Sequence, residues 1–252
     1  MKIKISIIIP TLNSSKTLKR CIDSVFNQTF KKWEIIIIDG GSKDNTIDIV
    51  KNYNSKKIKI LREKSKKSIS AARYRGIVSS KGKYIAFLDS DDKWAKEKLC
   101  LQIDKIDKNI DFVCTNFKLR NQNRSFNVKS SKDYLTTMDI IYNRPIALSS
   151  VLIKKKIIIK TIKKDLSLNF AEDFYWWTNI LQTGKKCLII KKYLTFIYLH
   201  KNNRSTNYIS NYYSLIKIYR NSYSFSYLKI LFIFILLSIN TFKKNVFKYK
   251  AF

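Results

Sequence analysis

Four short apolar runs punctuate the first third of the chain, and the stretches between them repeat apolar residues at helical spacing; nothing else in the sequence limits the fold so sharply. The runs are Ile3 to Ile9, Ile35 to Ile38, Ile58 to Leu61 and Tyr84 to Leu88. The first is β-rich and stops at Pro10, which has no N–H to offer a neighbouring strand, so a buried strand is expected to end there in a loop. After it, Leu18, Cys21, Ile22, Val25 and Phe26 fall at i, i+3, i+4, i+7 and i+8. That spacing puts them on one helix face, with Asn13 or Ser14 as the cap. Further helices are expected from about Asn45 and from about Ser70.

The strands lack polar alternation and are separated by helical patterns, a βαβαβαβ order. This predicts an α/β fold with a mostly parallel, Rossmann-like sheet flanked by helices, whose ligands gather beyond the carboxyl ends of the strands. The segments that follow the strands are Pro10-Thr11-Leu12-Asn13, Asp39-Gly40-Gly41-Ser42 and Asp89-Ser90-Asp91-Asp92. Carboxylates, small residues and backbone amides are thereby brought to one rim.

Past Cys114 the alternation fades into a polar stretch from Lys118 to Lys132. A strand over Ser149 to Ile153, a helix from Ala171 to Leu181, and strands near Leu188 and over Thr195 to Leu199 complete the expected globular part. Beyond Asn207 the composition shifts to Tyr, Ser and Ile and then to an apolar run, Leu228 to Ile239. The length of 252 residues favours one large domain, residues 1–207, with a helical appendage over 208–252.

Asp89, Asp91 and Asp92 crowd three carboxylates into four residues, in a chain with only 18 acidic against 50 basic side chains. Such charges repel unless a divalent cation neutralises them, and hard oxygen ligands suit Mg2+ or Mn2+ bridging a diphosphate. The alternative is a solvated acidic turn capping a helix that starts near Trp94.

The formal net charge of +32 attracts phosphates, anionic lipid surfaces and nucleic acids. Lys is spread along the whole chain rather than gathered with aromatics on one platform, so much of the charge reads as solvated surface and no nucleic-acid partner is expected. Gly41-Ser42-Lys43 lacks the first Gly of a Walker loop. The four Cys are far apart, with no C-x-x-C or Cys/His cluster, and read as reduced, buried thiols. The first apolar run is a short strand, not a signal peptide, and the expected compartment is the cytoplasm.

Several segments, taken in order, resemble the large bacterial family-2 glycosyltransferases with the GT-A fold. They are Ile7 to Asn13, Ile38 to Thr46, Ile69 to Ile77 and Gly82 to Asp92, and the ordered set covers about the first 105 residues. The resemblance implies a nucleotide-sugar-binding half over 1–117 and an acceptor and catalytic half over 118–207. It implies that Pro10, Thr11, Leu12 and Asn13 wrap the nucleotide, that Asp39 bonds the nucleobase and that Arg73 lies near the donor. Asp89, Ser90 and Asp92 would serve ribose and diphosphate, with Asp91 on the metal. Ala171-Glu172-Asp173 is similar to the family's Glu-Asp motif, which makes Asp173 the expected catalytic base. His200, the only histidine, resembles a metal ligand in the segment that closes over the diphosphate, with Lys201 and Arg204 able to pair with phosphate. Gly40 stands where the commoner form has a second Asp, and the Gln-x-x-Arg-Trp motif of processive synthases is missing.

The reading that follows is a metal-dependent, inverting, non-processive glycosyltransferase. It would move a sugar from a nucleotide diphosphate donor, with UDP preferred, to a surface glycan or lipid-linked acceptor. A sugar nucleotidyltransferase would want a Gly-rich basic loop after the first strand, and Pro10 to Ser15 contains no Gly. A non-catalytic basic protein binding nucleic acid or membrane is the rival from another class. The window Tyr223 to Phe242 reaches membrane-spanning length only by including Lys229 and several polar residues. With Lys243, Lys244, Lys248 and Lys250 after it, an in-plane helix on anionic lipid at the inner face of the cell membrane is expected, a core or homodimer-forming helix being the alternative.

Overall fold

The computed structural model describes residues 3–63, 68–121, 124–162, 168–200 and 208–249, the side chains of 208 and 239–249 excepted. The first half runs β1 (Ile5–Thr11), α1 (Leu18–Phe26), β2 (Trp33–Asp39), α2 (Thr46–Asn52), β3 (Ile58–Arg62), α3 (Ile69–Val78), β4 (Tyr84–Phe87), β5 (Lys93–Trp94) and α4 (Lys98–Lys105). The second runs β6 (Phe112–Arg120), β7 (Ser125–Val128), β8 (Tyr134–Leu135), α5 (Thr137–Asn143), β9 (Leu152–Lys154), α6 (Lys155–Ile162), α7 (Glu172–Gln182), β10 (Cys187–Tyr198), α8 (Tyr208–Tyr223) and α9 (Tyr227–Tyr249).

One mixed sheet of order β3-β2-β1-β4-β9-β6-β10-β5 spans the molecule. Its first four strands are all parallel, β9 is antiparallel to both β4 and β6, and β6 and β10 are parallel again. Ile5, Ile7 and Ile9 face one side and pack with Leu18, Cys21, Ile22 and Val25 of α1. Ile8, Ile36 and Ile38 face the other, toward Ile77 of α3 and Trp176 and Trp177 of α7. Helices cover both faces, so the central strand positions are mostly apolar, and the buried Ser6 hydroxyl and Glu34 carboxylate bond each other at 2.6 Å; burying each Ile side chain stabilises by about 1.5–3 kcal/mol.

Several boundaries differ from expectation for identifiable reasons. β1 does not stop at Pro10: Pro10 pairs in register with Ile38 and Thr11 with Asp39. Leu88 donates its N–H to the Ile8 carbonyl, so even-numbered groups of β1 face β4, and the missing N–H of Pro10 falls past the last residue of that strand. Trp94 opens no helix. It lies in the two-residue β5 against β10, and α4 begins at Lys98. The strand expected over Ser149 to Ile153 is a 3-10 turn, Leu148–Ser150, followed by β9. Leu188 and Thr195 belong to one twelve-residue strand, with register shifts around Tyr193 that the sequence pattern does not reveal.

The C-terminal segment is helical and packs against the preceding part. Leu215, Ile218 and Tyr219 of α8, with Phe225, Ile230 and Ile233, join the same buried cluster as Phe174 and Trp176. The opposite side of α9 leaves Leu228, Leu231, Phe232 and Ile235 exposed, at i, i+3, i+4 and i+7. Among the described residues no helix is long and apolar enough to cross a membrane. The side chains of Lys243, Lys244, Lys248 and Lys250 lie outside the described residues.

Candidate active site

The loops after β1, β2 and β4 are tied to one another at the strand ends. Asn13, in a left-handed conformation at φ 49°, donates its N–H to Ser42 Oγ at 3.0 Å and accepts from the Lys43 N–H at 2.9 Å. The Ser42 N–H donates to Asp39 Oδ1 at 3.0 Å, and the Gly40 N–H donates to the Thr11 carbonyl at 2.9 Å. Ser14 and Ser90 hydroxyls lie 2.9 Å apart, joining the β1 loop to the acidic one. Leu12 projects outward with 56% of its surface exposed.

Asp39 is buried at the end of β2, with Arg62 Nε of β3 at 3.8 Å from Oδ2. Thr11 Oγ1, also buried, finds no partner among the described residues. This pair, in register across the ends of β1 and β2, offers an acceptor and a hydroxyl side by side.

The acidic loop splits into three roles. Asp89 Oδ1 accepts from Arg73 at 2.7 Å, and the other terminal nitrogen of Arg73 bonds Glu172 at the start of α7. Arg73 is almost wholly buried; burial alone would favour its neutral form, but Asp89 and Glu172 outweigh that and raise its pKa above the usual value. Asp91 faces His200, with Nε2 at 2.9 Å from Oδ2, while the Asp91 carbonyl accepts from Arg20 at 2.5 Å. Burial, then the neighbouring Asp89, push the Asp91 carboxyl above its ordinary pKa. Asp92, expected to bind the donor, is buried. Its carboxylate accepts from Ser149 Oγ at 2.5 Å and from the Tyr198 N–H at 3.4 Å, so it braces the loop. Burial, then the charges of Asp89 and Asp91, raise its pKa well above the ordinary value.

Asp173 stands in the first turn of α7. Its Oδ1 accepts from the Phe174 N–H at 2.8 Å, and the preceding Ala171 holds φ 54°, a left-handed turn that sets the start of the helix. Burial, with the adjacent Glu172, pushes its pKa up to about 6. Raised carboxyl pKa values of this kind suit a general base working near neutrality.

Two supporting residues escaped the sequence reading. Ser149 accepts from the Asp89 N–H at 3.1 Å and donates to Asp92, holding the acidic loop from a distant turn. Arg20 on α1 stacks 3.6 Å over the Tyr198 ring while holding Asp91. Neither carries a local signal, because each acts through contacts set by the fold. Lys201 and Arg204, expected near the diphosphate, lie outside the described residues.

Unbroken hydrogen bonding and chain connectivity therefore run from Asp39 through Ser42, Asn13-Ser14, Ser90-Asp89 and Arg73 to Glu172-Asp173. Carboxylates brought to the rim of a parallel sheet in this way stand where α/β enzymes bind their ligands. The comparisons specify the class: residues 6–179 match the family described as Glycosyl transferase family 2, and the chain belongs to that family. It is 32% identical over 181 residues to the Escherichia coli UDP-Glc:alpha-D-GlcNAc-diphosphoundecaprenol beta-1,3-glucosyltransferase WfgD, covering 71% of this chain and 70% of that protein. To the Escherichia coli enzyme WfaP, which bears the same activity name, it is 31% identical over 206 residues, covering 81% and 80%. Its fold matches S. aureus TarS 1-349 in complex with UDP-GlcNAc at a TM-score of 0.70 and 19% identity, covering 93% of this chain and 70% of that one. The protein is a glycosyltransferase with the GT-A fold.

Proposed function

We propose that the protein transfers a sugar from a UDP-sugar to the hydroxyl of a lipid-linked or surface glycan, with inversion and one addition per encounter. The single observation that carries this reading is the bonded path from Asp39 to Glu172-Asp173, because it fixes a nucleotide-side carboxylate and a base-side carboxylate in one frame. Asp39 and the Pro10 to Asn13 loop hold the nucleoside, with Asp39 accepting from a base N–H. Ser90 and Asp89 serve the ribose and diphosphate side. Asp173 takes the proton from the acceptor hydroxyl as its oxygen attacks the anomeric carbon; the bond from that carbon to the diphosphate breaks, and the diphosphate leaves with the electron pair.

Asp91 and His200 are the residues that would hold Mn2+ or Mg2+. Among the described residues no three His, Cys, Asp or Glu side chains form a cage of their own. Such ions are commonly bound by one or two protein ligands together with substrate phosphates, and a buried carboxyl with a raised pKa gains by facing a cation, so the residues fit. When bound, the cation neutralises charge developing on the departing diphosphate.

The exposed stripe of Leu228, Leu231, Phe232 and Ile235 supports contact with a membrane surface on the cytoplasmic side, with the lysines that follow in sequence drawn to anionic headgroups. Nucleotide release from a panel of sugar donors, with and without Mn2+, tests the chemistry, paired with Asp173→Asn. Metal-independent release, or full transfer by the variant, defeats the mechanism. Sedimentation with anionic vesicles tests the membrane contact, which Leu231→Asp with Phe232→Asp should abolish.

A further inference from the structure

Between α5, the start of α7 and α8 lies a cavity of about 390 Å³, the size of a small-ligand pocket. Asp173 stands on its wall together with Arg144, Ile146, Phe174, Tyr212 and Leu215. Among the described residues the wall is mainly apolar and carries a single basic side chain, Arg144. Trp177 also borders it, and the buried indole N–H of that residue finds no acceptor among the described residues.

Arg144 is an unusual occupant of its position. It caps the C-terminal end of α5 at φ 45° and ψ 57°, with its N–H donated to the Ile140 carbonyl. Glycine is favoured at this left-handed cap because it alone carries no Cβ penalty, so an arginine here keeps its side chain at a cost in backbone energy. Non-glycine residues held in this region cluster at ligand sites. The guanidinium sits 5.6 Å from the Phe174 ring and contacts the Tyr219 hydroxyl. Among the described residues no carboxylate pairs with it. A cation beside a catalytic carboxylate, inside apolar walls, suits an anion that is itself joined to an apolar group.

One lining residue also links the cavity to the surface and to α9. Tyr212 lines it, is 45% exposed, and meets Phe234 of α9 edge-on with centroids 5.0 Å apart, on the helix that carries the exposed stripe. We propose that this cavity receives the phosphate of the acceptor: Arg144 binds phosphate oxygens that join the acceptor sugar to an isoprenoid chain, and the chain leaves past Tyr212 along α9. This assignment rests on the glycosyl-transfer reading and identifies the chemical class of its acceptor.

The test is calorimetric titration of the full chain with farnesyl diphosphate, with farnesol, inorganic pyrophosphate, ribitol 5-phosphate and UDP as separate arms. Farnesyl diphosphate is expected to bind about tenfold or more tighter than farnesol, pyrophosphate or ribitol 5-phosphate, and saturating UDP should leave its Kd unchanged. Arg144→Gly should weaken it by about tenfold or more, Arg144→Lys by less, and neither should alter the Kd for UDP. Arg144→Gly suits the left-handed backbone, so its thermal midpoint should equal or exceed that of the parent. Absence of saturable farnesyl diphosphate binding, displacement by UDP, or an unchanged Kd in Arg144→Gly overturns the proposal. Equal binding of ribitol 5-phosphate removes the lipid from it. Should UDP itself fail to bind, the glycosyl-transfer reading falls, while the farnesyl diphosphate arm still reports on the cavity.

Discussion

His200 Nε2 lies 2.9 Å from Asp91 Oδ2, across 109 residues of sequence. The contact brings the loop after β4 to the segment after β10 and closes that side of the rim.

Removing either member should weaken the donor end of the reaction. Asp91→Ala is expected to lower kcat/KM by about a hundredfold or more, the scale of losing a main electrostatic stabiliser, and His200→Ala by less. Nucleotide release measured against Mn2+ concentration checks this, with the Mn2+ requirement rising in both variants.

The acid limb of the pH profile should belong to Asp173. The active form of a general base is its carboxylate, and with a pKa pushed up to about 6 by burial, kcat/KM should rise with pH through about 6 and then level off. Glu172→Gln removes the next-largest cause of the rise and should move the limb to lower pH. Because burial holds the folded carboxyl above its unfolded value, Asp173 favours the folded state only while protonated, and that contribution is lost as pH rises through about 6. Asp173→Asn should therefore raise the thermal midpoint at pH 8 relative to the parent while abolishing transfer.

Arg73 holds two carboxylates in a buried site, so its loss leaves charge without compensation. Arg73→Ala is expected to destabilise by about 3–5 kcal/mol, read from urea unfolding. Adding Glu172→Gln to it should restore part of that loss, and a strictly additive double variant would refute the coupling.

Gly82 is fixed by close approach, not by backbone angle. A Cβ there would meet Ser6 N at 2.6 Å, Ser6 Oγ at 2.7 Å and Ile5 C at 2.8 Å, the first and last belonging to the backbone of β1. Gly82→Ala should cost about 1–3 kcal/mol by overpacking. At Gly41, φ is 92° with nothing within 4 Å, so Gly41→Ala should cost only the backbone strain, about 1 kcal/mol. Thermal midpoints of the two variants should rank in that order.

The positions of Asp39, Asp89 and Asp91, each just past an apolar run, were readable because strand periodicity and chain order are local properties. A parallel sheet sends every such loop to the same edge, so the rim followed from the four runs alone. Pro10 shows where local reading stops. Whether a missing N–H ends a strand depends on where the neighbouring strand ends, and that is a property of the partner.

The sequence by itself determined the α/β alternation, the acidic rim beyond the strand ends and the acidic start of α7, since each is written in spacing along a few residues. Only the tertiary structure decided that Asp92 braces its loop on Ser149, that Arg73 joins Asp89 to Glu172, and that α8 closes a cavity whose wall holds both Arg144 and Asp173. Those contacts join residues tens to about a hundred positions apart, and their energies depend on burial and geometry that no local pattern encodes.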